Sequence, residues 1–400
     1  MHAPSPSHIL RIHAAHVTAV SFSVDNERLY SGDTSGDVVV TSTRTLRPIA
    51  SWRAHTDGVL GVQEWASNII THGRDNKLHV WERVLAPPSL GTAASSPDIP
   101  TPQFRYSLDV NALNFCRFSL LPYSAPQARS SSSDELALVA VPNLIESSLA
   151  DIWELSSCSR LHAAIGKPEA PEIGMKSWQI DSDGRGNAKT GILMSLHLFM
   201  KSEKLHLLSA YESGEVALRQ CIAGIGEKTI EGRGWECLWK TKQHNESVMA
   251  MTVSRDSSFA LTVSADPTIT RYSLDGPDEN RLSKHRIKQA GNGSVTLRSD
   301  GRVCAVGGWD GKIRLFSTKA FKPLGTLSYH TKSCQALAFA HSSAVSSVPD
   351  TNVSQATEDA NNDDDVRQEE KEARTRWLAS GSQDHRIAVW QLISFSKDAH

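Results

Sequence analysis

The sequence predicts an all-β fold, a seven-bladed β-propeller closed on itself, and three observations carry the prediction. Residues 307–316 (GGWDGKIRLF) join two small residues, an Asp-Gly turn and an alternating apolar run, the pattern of a strand end, a tight hairpin and a second strand. The hairpin belongs to a unit that recurs, because 317–323 (STKAFKP) match 42–48 (STRTLRP) and 322–330 (KPLGTLSYH) match 47–55 (RPIASWRAH) without a gap. The unit itself reads as an apolar strand, a His, a second strand, a third ending in Ser/Thr-x-x-x-Asp, and a fourth ending in an aromatic residue six positions after that Asp.

In chain order, residues 8–13 (HILRIH) precede His16 much as PIASWR precedes His55, so this first apolar run is an outer strand with no blade of its own. Unit one (16–53) opens at His16 and is degenerate, with Ser35 at the Asp position and Thr41 at the aromatic one. Unit two (55–108) is the most complete, with His55, Thr71, Asp75 and Trp81. Unit three (109–165) offers VNALNFCRF, ELALVAV and LADIWEL with Trp153, but neither the His nor the Asp. Unit four (191–240) puts Ser213 and Arg219 at the Asp and aromatic positions, so only strand alternation supports it. Unit five (244–287) has His244, Thr262, Asp266 and Tyr272; unit six (293–328) has Asp310 and Phe316; unit seven (330–393) has His330, Ser380, Asp384 and Trp390. Unit seven leaves too little chain for a fourth strand, and the economical closure pairs residues 8–13 with IAVWQL of that last blade.

Four stretches interrupt the period: 86–102 and 124–134, rich in Ser with Pro or Ala, 166–190, and 341–376. The last carries Asp363, Asp364, Asp365, Glu369, Glu370 and Glu372 among small polar residues and is expected to be disordered, since it cannot bury enough apolar surface to order itself. In an up-and-down blade, 86–102, 124–134, 222–234 and 341–376 emerge on one face, and 166–190 on the other with the hairpin turns.

Composition bounds the function classes. The chain is 39% hydrophobic and 22% charged with a formal charge of −2, a balance that supplies no general attraction to nucleic acid or anionic membrane. No run of about 18 to 20 apolar residues exists, and the opening residues lack a signal-peptide core, so a soluble intracellular protein is expected. Six cysteines stand singly with no metal spacing. GIGEKT (224–229) lacks the spacing of a phosphate loop, and DSDGRG (181–186) has Ile192 where a calcium loop needs Glu. Arg281, Lys284, Arg286 and Lys288 fall near the outer strand of blade five, where charge protects a sheet edge. No catalytic, cofactor-binding or metal-binding residue is expected.

The unit resembles the WD repeat. That resemblance implies that in the complete sets His55, Thr71, Asp75, Trp81 and His330, Ser380, Asp384, Trp390 the Asp accepts from the His, the His from the hydroxyl and the hydroxyl from the Trp N–H. Such sets are structural, however close their composition comes to a catalytic triad. On the hairpin-turn face, the residue before each turn Asp points to the rim of the channel: Arg74, Ala265, Trp309 and Gln383. Arg and Trp dominate interface energies, which makes Arg74 and Trp309, with Gln383, the candidate partner contacts.

Across essentially the whole chain the sequence resembles the fungal ASTRA-associated protein 1 family, relatives of the guanine nucleotide-binding protein β-subunit-like protein 1. The likeness lies in HAAHVTAVSF, DVVVTSTRTLRPIASWRAHTDGVLGV, GRDNKLHVWE, AYESGEV, GGWDGKIRLFSTKAFKPLGTLSYH and SGSQDHRIAVW. It implies a non-enzymatic scaffold within a multi-protein nuclear complex linked to chromatin remodelling and to maturation of phosphatidylinositol-3-kinase-related kinases. The alternative is a G-protein β-like signalling adaptor or another WD-repeat peptide-binding adaptor, the signalling β-subunit being disfavoured because a strand begins by residue 8 where such proteins carry a coiled-coil helix; a propeller enzyme would need metal ligands converging on the channel.

Overall fold

A computed structural model describes residues 4–84, 99–111, 113, 115–123, 136–168, 190–224, 226–275, 282–342 and 368–392. They form seven four-stranded antiparallel sheets. Strand β1 (His8–Leu10) comes first. Blade one is β2 (Val17–Phe22), β3 (Arg28–Asp33), β4 (Asp37–Ser42) and β5 (Pro48–Arg53); blade two is β6 (Val59–Trp65), β7 (Asn68–Gly73), β8 (Lys77–Glu82) and β9 (Gln103–Asp109). Blade three is β10 (Ser119–Tyr123), β11 (Leu136–Pro142), β12 (Ala150–Glu154) and β13 (Ser159–Ile165); blade four is β14 (Leu193–Lys201), β15 (Lys204–Tyr211), β16 (Glu215–Cys221) and β17 (Trp235–Lys242). Blade five is β18 (Val248–Val253), β19 (Phe259–Ser264), β20 (Thr268–Ser273) and β21 (Leu282–Arg286); blade six is β22 (Asn292–Leu297), β23 (Val303–Gly308), β24 (Lys312–Ser317) and β25 (Pro323–Ser328). Blade seven is β26 (Cys334–Phe339), β27 (Trp377–Ser382) and β28 (Ile387–Gln391), completed by β1 in the order β1-β28-β27-β26.

The chain's first strand therefore closes the ring, with His8 opposite Val389, Ile9 opposite Ala388 and Leu10 opposite Ile387. Closure is also apolar: Leu10 shares a core cluster with Val17, Val20 and Phe22 of blade one and with Trp377, Ile387 and Val389 of blade seven. Six further clusters lie between the other neighbouring pairs of blades, so both faces of every sheet are buried. At about 25 cal/mol per Å² of apolar area, this interleaving supplies the main driving force, and it explains why the middle strands β3, β7, β11, β15, β19, β23 and β27 are buried along nearly their whole length.

Blade three departs from the expected unit. The described residues of VNALNFCRF form no strand, and the inner strand starts only at Ser119. The cause is local. The Asn111 side chain accepts from the Leu113 amide to make a turn, and Phe115 sits at φ 54°, in the left-handed region that a strand excludes. Six inner strands carry a register shift near their first residues, at Val17, Val59, Leu193, Val248, Asn292 and Cys334, and β10 carries none.

The insertion at 341–376 is also not uniformly without structure. Residues 343–367 lie outside the described residues, but 368–374 form a helix, α1. Its Arg374 is buried and donates to Glu27 of blade one (3.1 Å), a carboxylate that also receives Arg44 (2.6 Å). At the other end His341 exchanges two bonds with the Asn26 side chain (2.8 and 2.7 Å). Both ends of the insertion are thus held on the β2–β3 turn, because a paired cation and a satisfied amide order segments whose apolar content could not. Residues 124–134, 86–98 and 169–189 of the other loops lie outside the described residues, and with them DSDGRG (181–186).

Candidate partner-binding face

The hydrogen-bond sets define which side chains are already committed. In blade two, His55 Nδ1–H donates to Asp75 (2.9 Å), Thr71 Oγ1–H to His55 Nε2 (2.9 Å) and Trp81 Nε1–H to Thr71 Oγ1 (2.9 Å). Blade seven repeats the chain through His330, Asp384 (3.0 Å), Ser380 (2.9 Å) and Trp390 (3.0 Å). In blade five His244 lies between Asp266 (3.1 Å) and Thr262 (2.8 Å), with the Tyr272 hydroxyl 3.3 Å from that of Thr262. Burial pulls His55, His244 and His330 below the ordinary histidine value, against the opposing pull of the Asp partners, so each stays neutral and each imidazole nitrogen is occupied. Each bond nets about 0.5–1.5 kcal/mol, and the sets lock strands rather than face a ligand. His55, Asp75 and His79 bring ligand-type atoms within 4.8 Å of one another, but with both His55 nitrogens hydrogen-bonded the group is built as a tie, not a metal cradle.

Blade one corrects the expectation built on His16, Ser35 and Thr41. The imidazole is His13, which bonds Asp33 (2.8 Å) and Ser31 (2.8 Å). Ser35 contributes only its amide to Asp33 (2.9 Å), Thr41 Oγ1 is buried without a partner, and His16 packs against His385 at 5.2 Å. Val17 stands opposite Asp33 as Val59 stands opposite Gly73, so the acid has moved from the turn to the strand end. In blade two that place must be small, since a Cβ on Gly73 would fall 2.3 Å from His55 Nδ1; in blade one the carboxylate itself fills it.

Blades without the set improvise. Arg314 pairs with Asp310 (2.6 Å) in blade six, Arg219 donates to the Tyr211 hydroxyl (3.0 Å) in blade four, and Asp151 of blade three accepts from Asn143 (2.8 Å) and the Ala164 amide (2.8 Å).

Arg74, Trp309 and Gln383 all lie on β–β turns of one face, but no contact joins them among the described residues. Trp309 is 51% exposed, and its other side covers Gly291 and Gly293. Gln383 is half-buried, its amide held by Ser333 (3.0 Å). Arg74 lies over the ring of Phe115, 4.2 Å from its centroid. That contact leads to a group the sequence reading missed. Leu113 (69% exposed) and Phe115 (54%) lie in the β9–β10 loop and Leu144 (53%) and Ile145 (86%) in the β11–β12 turn, with Leu113 and Leu144 lining one cavity. Asn111 ties the two segments, donating to the Asn143 carbonyl (3.0 Å) and the Ser147 hydroxyl (3.0 Å). Cavities of about 590 and 420 Å³ open on either side of Leu144, the first lined also by Pro142, Trp153 and Arg160, the second by Leu113 and Lys77. Two residues beyond Phe115, Arg117 reaches to the carbonyls of Thr18 (2.7 Å) and Gln335 (3.0 Å) on the inner strands of blades one and seven. The signal in the sequence was the pair Leu144-Ile145 inside a polar turn.

A family model for the WD domain, G-beta repeat, matches residues 4–41, 235–272 and 289–317. The chain is 32% identical to the ASTRA-associated protein 1 of Verticillium alfalfae over 98% of its own length and 93% of the relative's. The chain belongs to the ASTRA-associated protein 1 family. Members from Penicillium rubens (31% identical; 97% of each chain) and Schizosaccharomyces pombe (28%; 85% of this chain, 94% of the relative) also align. For this member of the ASTRA-associated protein 1 family, fold and kinship support a scaffold or adaptor role.

Proposed function

We propose that the protein is a non-enzymatic scaffold subunit of an ASTRA-type assembly in the nucleus, acting in chromatin remodelling and in the maturation and stability of phosphatidylinositol-3-kinase-related kinases. The observation that carries the reading is likeness over nearly the entire chain to proteins named ASTRA-associated protein 1. The closed His-Asp-hydroxyl sets agree with it, since their chemistry is spent on the blades, and so does the exposed apolar group around Phe115. Its partners are protein subunits, with the propeller present as one copy in a hetero-complex.

Affinity purification of the tagged full-length chain from its native cells, followed by crosslinking mass spectrometry, tests the proposal. Large kinase-maturation or remodelling subunits are the expected companions, with the chain recovered from nuclear extract. A small prenylated protein as the main companion would replace this reading with that of a signalling β-subunit.

A further inference from the structure

We propose that the group formed by Leu113, Phe115, Leu144 and Ile145, with Arg74 over Phe115, is a docking site for a short segment of a partner protein that carries large apolar side chains next to an Asp or Glu. This deepens the adaptor reading given above and rests on it.

Three independent features converge on this sector. Four large apolar side chains, each more than half exposed, come from two segments that Asn111 holds together, and solvated apolar surface of that kind marks interaction sites. Leu144 stands between two cavities, of about 590 and 420 Å³, each wide enough to take a side chain from a bound segment. Phe115 is held at φ 54°, a costly conformation for a bulky residue; the backbone accepts it at the one inner-strand entry that departs from the repeat, and the ring is thereby left facing solvent.

Charge selects the partner. Arg74 makes a cation–π contact with Phe115, and Arg117 is satisfied only by two backbone carbonyls. Neither guanidinium meets a carboxylate among the described residues, whereas Arg160 nearby is paired to Asp151 and Lys77 to Asp109. A cation without counter-charge against an apolar patch, as Arg74 is, favours a carboxylate from outside, in the bidentate geometry that guanidinium offers.

A phage-displayed random dodecapeptide library selected on the purified full-length protein tests the site. Enriched peptides are expected to place Leu, Ile, Phe or Met within four residues of Asp or Glu. A synthetic peptide of that sequence should bind at least tenfold more weakly to the Leu144→Ser/Ile145→Ser double variant and to Arg74→Glu, and replacing its acid by Lys should restore binding to Arg74→Glu. Leu324→Ser, on an outer strand of another blade, should bind as wild type. Unchanged melting temperatures exclude unfolding as the cause. Peptides lacking the acid, or binding that the variants leave intact, would overturn the proposal. So would a photo-crosslinker at position 145 that captures residues 169–189 of the same chain or a second copy instead. In the affinity purification, variants that recover the subunits as well as wild type does would sink the docking site and leave the scaffold function standing. A wild-type protein that binds the peptide but recovers no such subunits would do the reverse.

Discussion

His13 and His16 stand three residues apart and do different work. His13 joins the first strand of the chain to blade one by bonding a buried carboxylate and a buried hydroxyl, while His16 only rests on His385. Replacing His13 by Ala leaves Asp33 and Ser31 without that partner, and a buried group left unpaired costs about 1–3 kcal/mol. His13→Ala is therefore expected to lower the unfolding free energy by about 2 kcal/mol and His16→Ala by less than about 0.5 kcal/mol, both read from urea denaturation; the reverse order would mean that His16 carries the tie. A second histidine makes stability depend on pH. His72 on β7 is buried with neither ring nitrogen hydrogen-bonded, and burial holds it at about 3 against an ordinary 6.5. Between those values the unfolded chain takes a proton that the folded chain refuses, so stability falls as pH drops through this window. His79 and His162, held at about 4 mainly by burial, act with the same sign. Each such group contributes a slope of up to about 1.4 kcal/mol per pH unit. His72→Leu should flatten the fall between about pH 6 and 4 by that amount, measured by denaturation at fixed pH; an unchanged slope would mean that His72 takes its proton in the folded state.

Among the elements, β1 closes the ring with three residues. Three residues cover the edge of β28 and bring Leu10 into the cluster between blades seven and one. An uncovered strand edge recruits other chains. A protein lacking residues 1–10 is expected to melt at a lower temperature and to elute as concentration-dependent oligomers. A monomer with wild-type melting would show that the ring closes without its first strand. The repeat made β1 legible, because HILRIH stands before unit one as an outer strand stands before every other unit. The start of blade three was not legible in the alternation of VNALNFCRF, because the Asn111 side chain makes a turn with the nearby backbone. Nor was the end of the acidic insertion, where Arg374 finds Glu27 some 347 residues away in the chain.

At the scale of the whole molecule, seven apolar clusters between neighbouring blades form one continuous ring of core. Stability in such an object is a sum over neighbours, which lets individual blades lose their His-Asp set and substitute Arg314 or Arg219 without opening the circle. It also lets one blade spend its inner-strand entry on something else. Blade three does this, and the segment that left the sheet carries Leu113 and Phe115 into solvent. The face chosen from the sequence was the one that bears this group, and Arg74 was in it; the sector was not legible, since nothing local says that the β9–β10 loop and the β11–β12 turn meet.

The sequence alone determined the repeat, the number of blades and the closing strand, because those follow from period-two burial and from residue types at set spacings along the chain; the two complete hydrogen-bond sets were legible through the resemblance to the WD repeat. Tertiary structure alone decided that His13 rather than His16 reaches Asp33, that both ends of the acidic insertion are tethered to blade one, and that the β9–β10 loop meets the β11–β12 turn with Phe115 under Arg74. Each of these depends on the distance between residues far apart in sequence, which pairing and packing determine and local pattern does not encode.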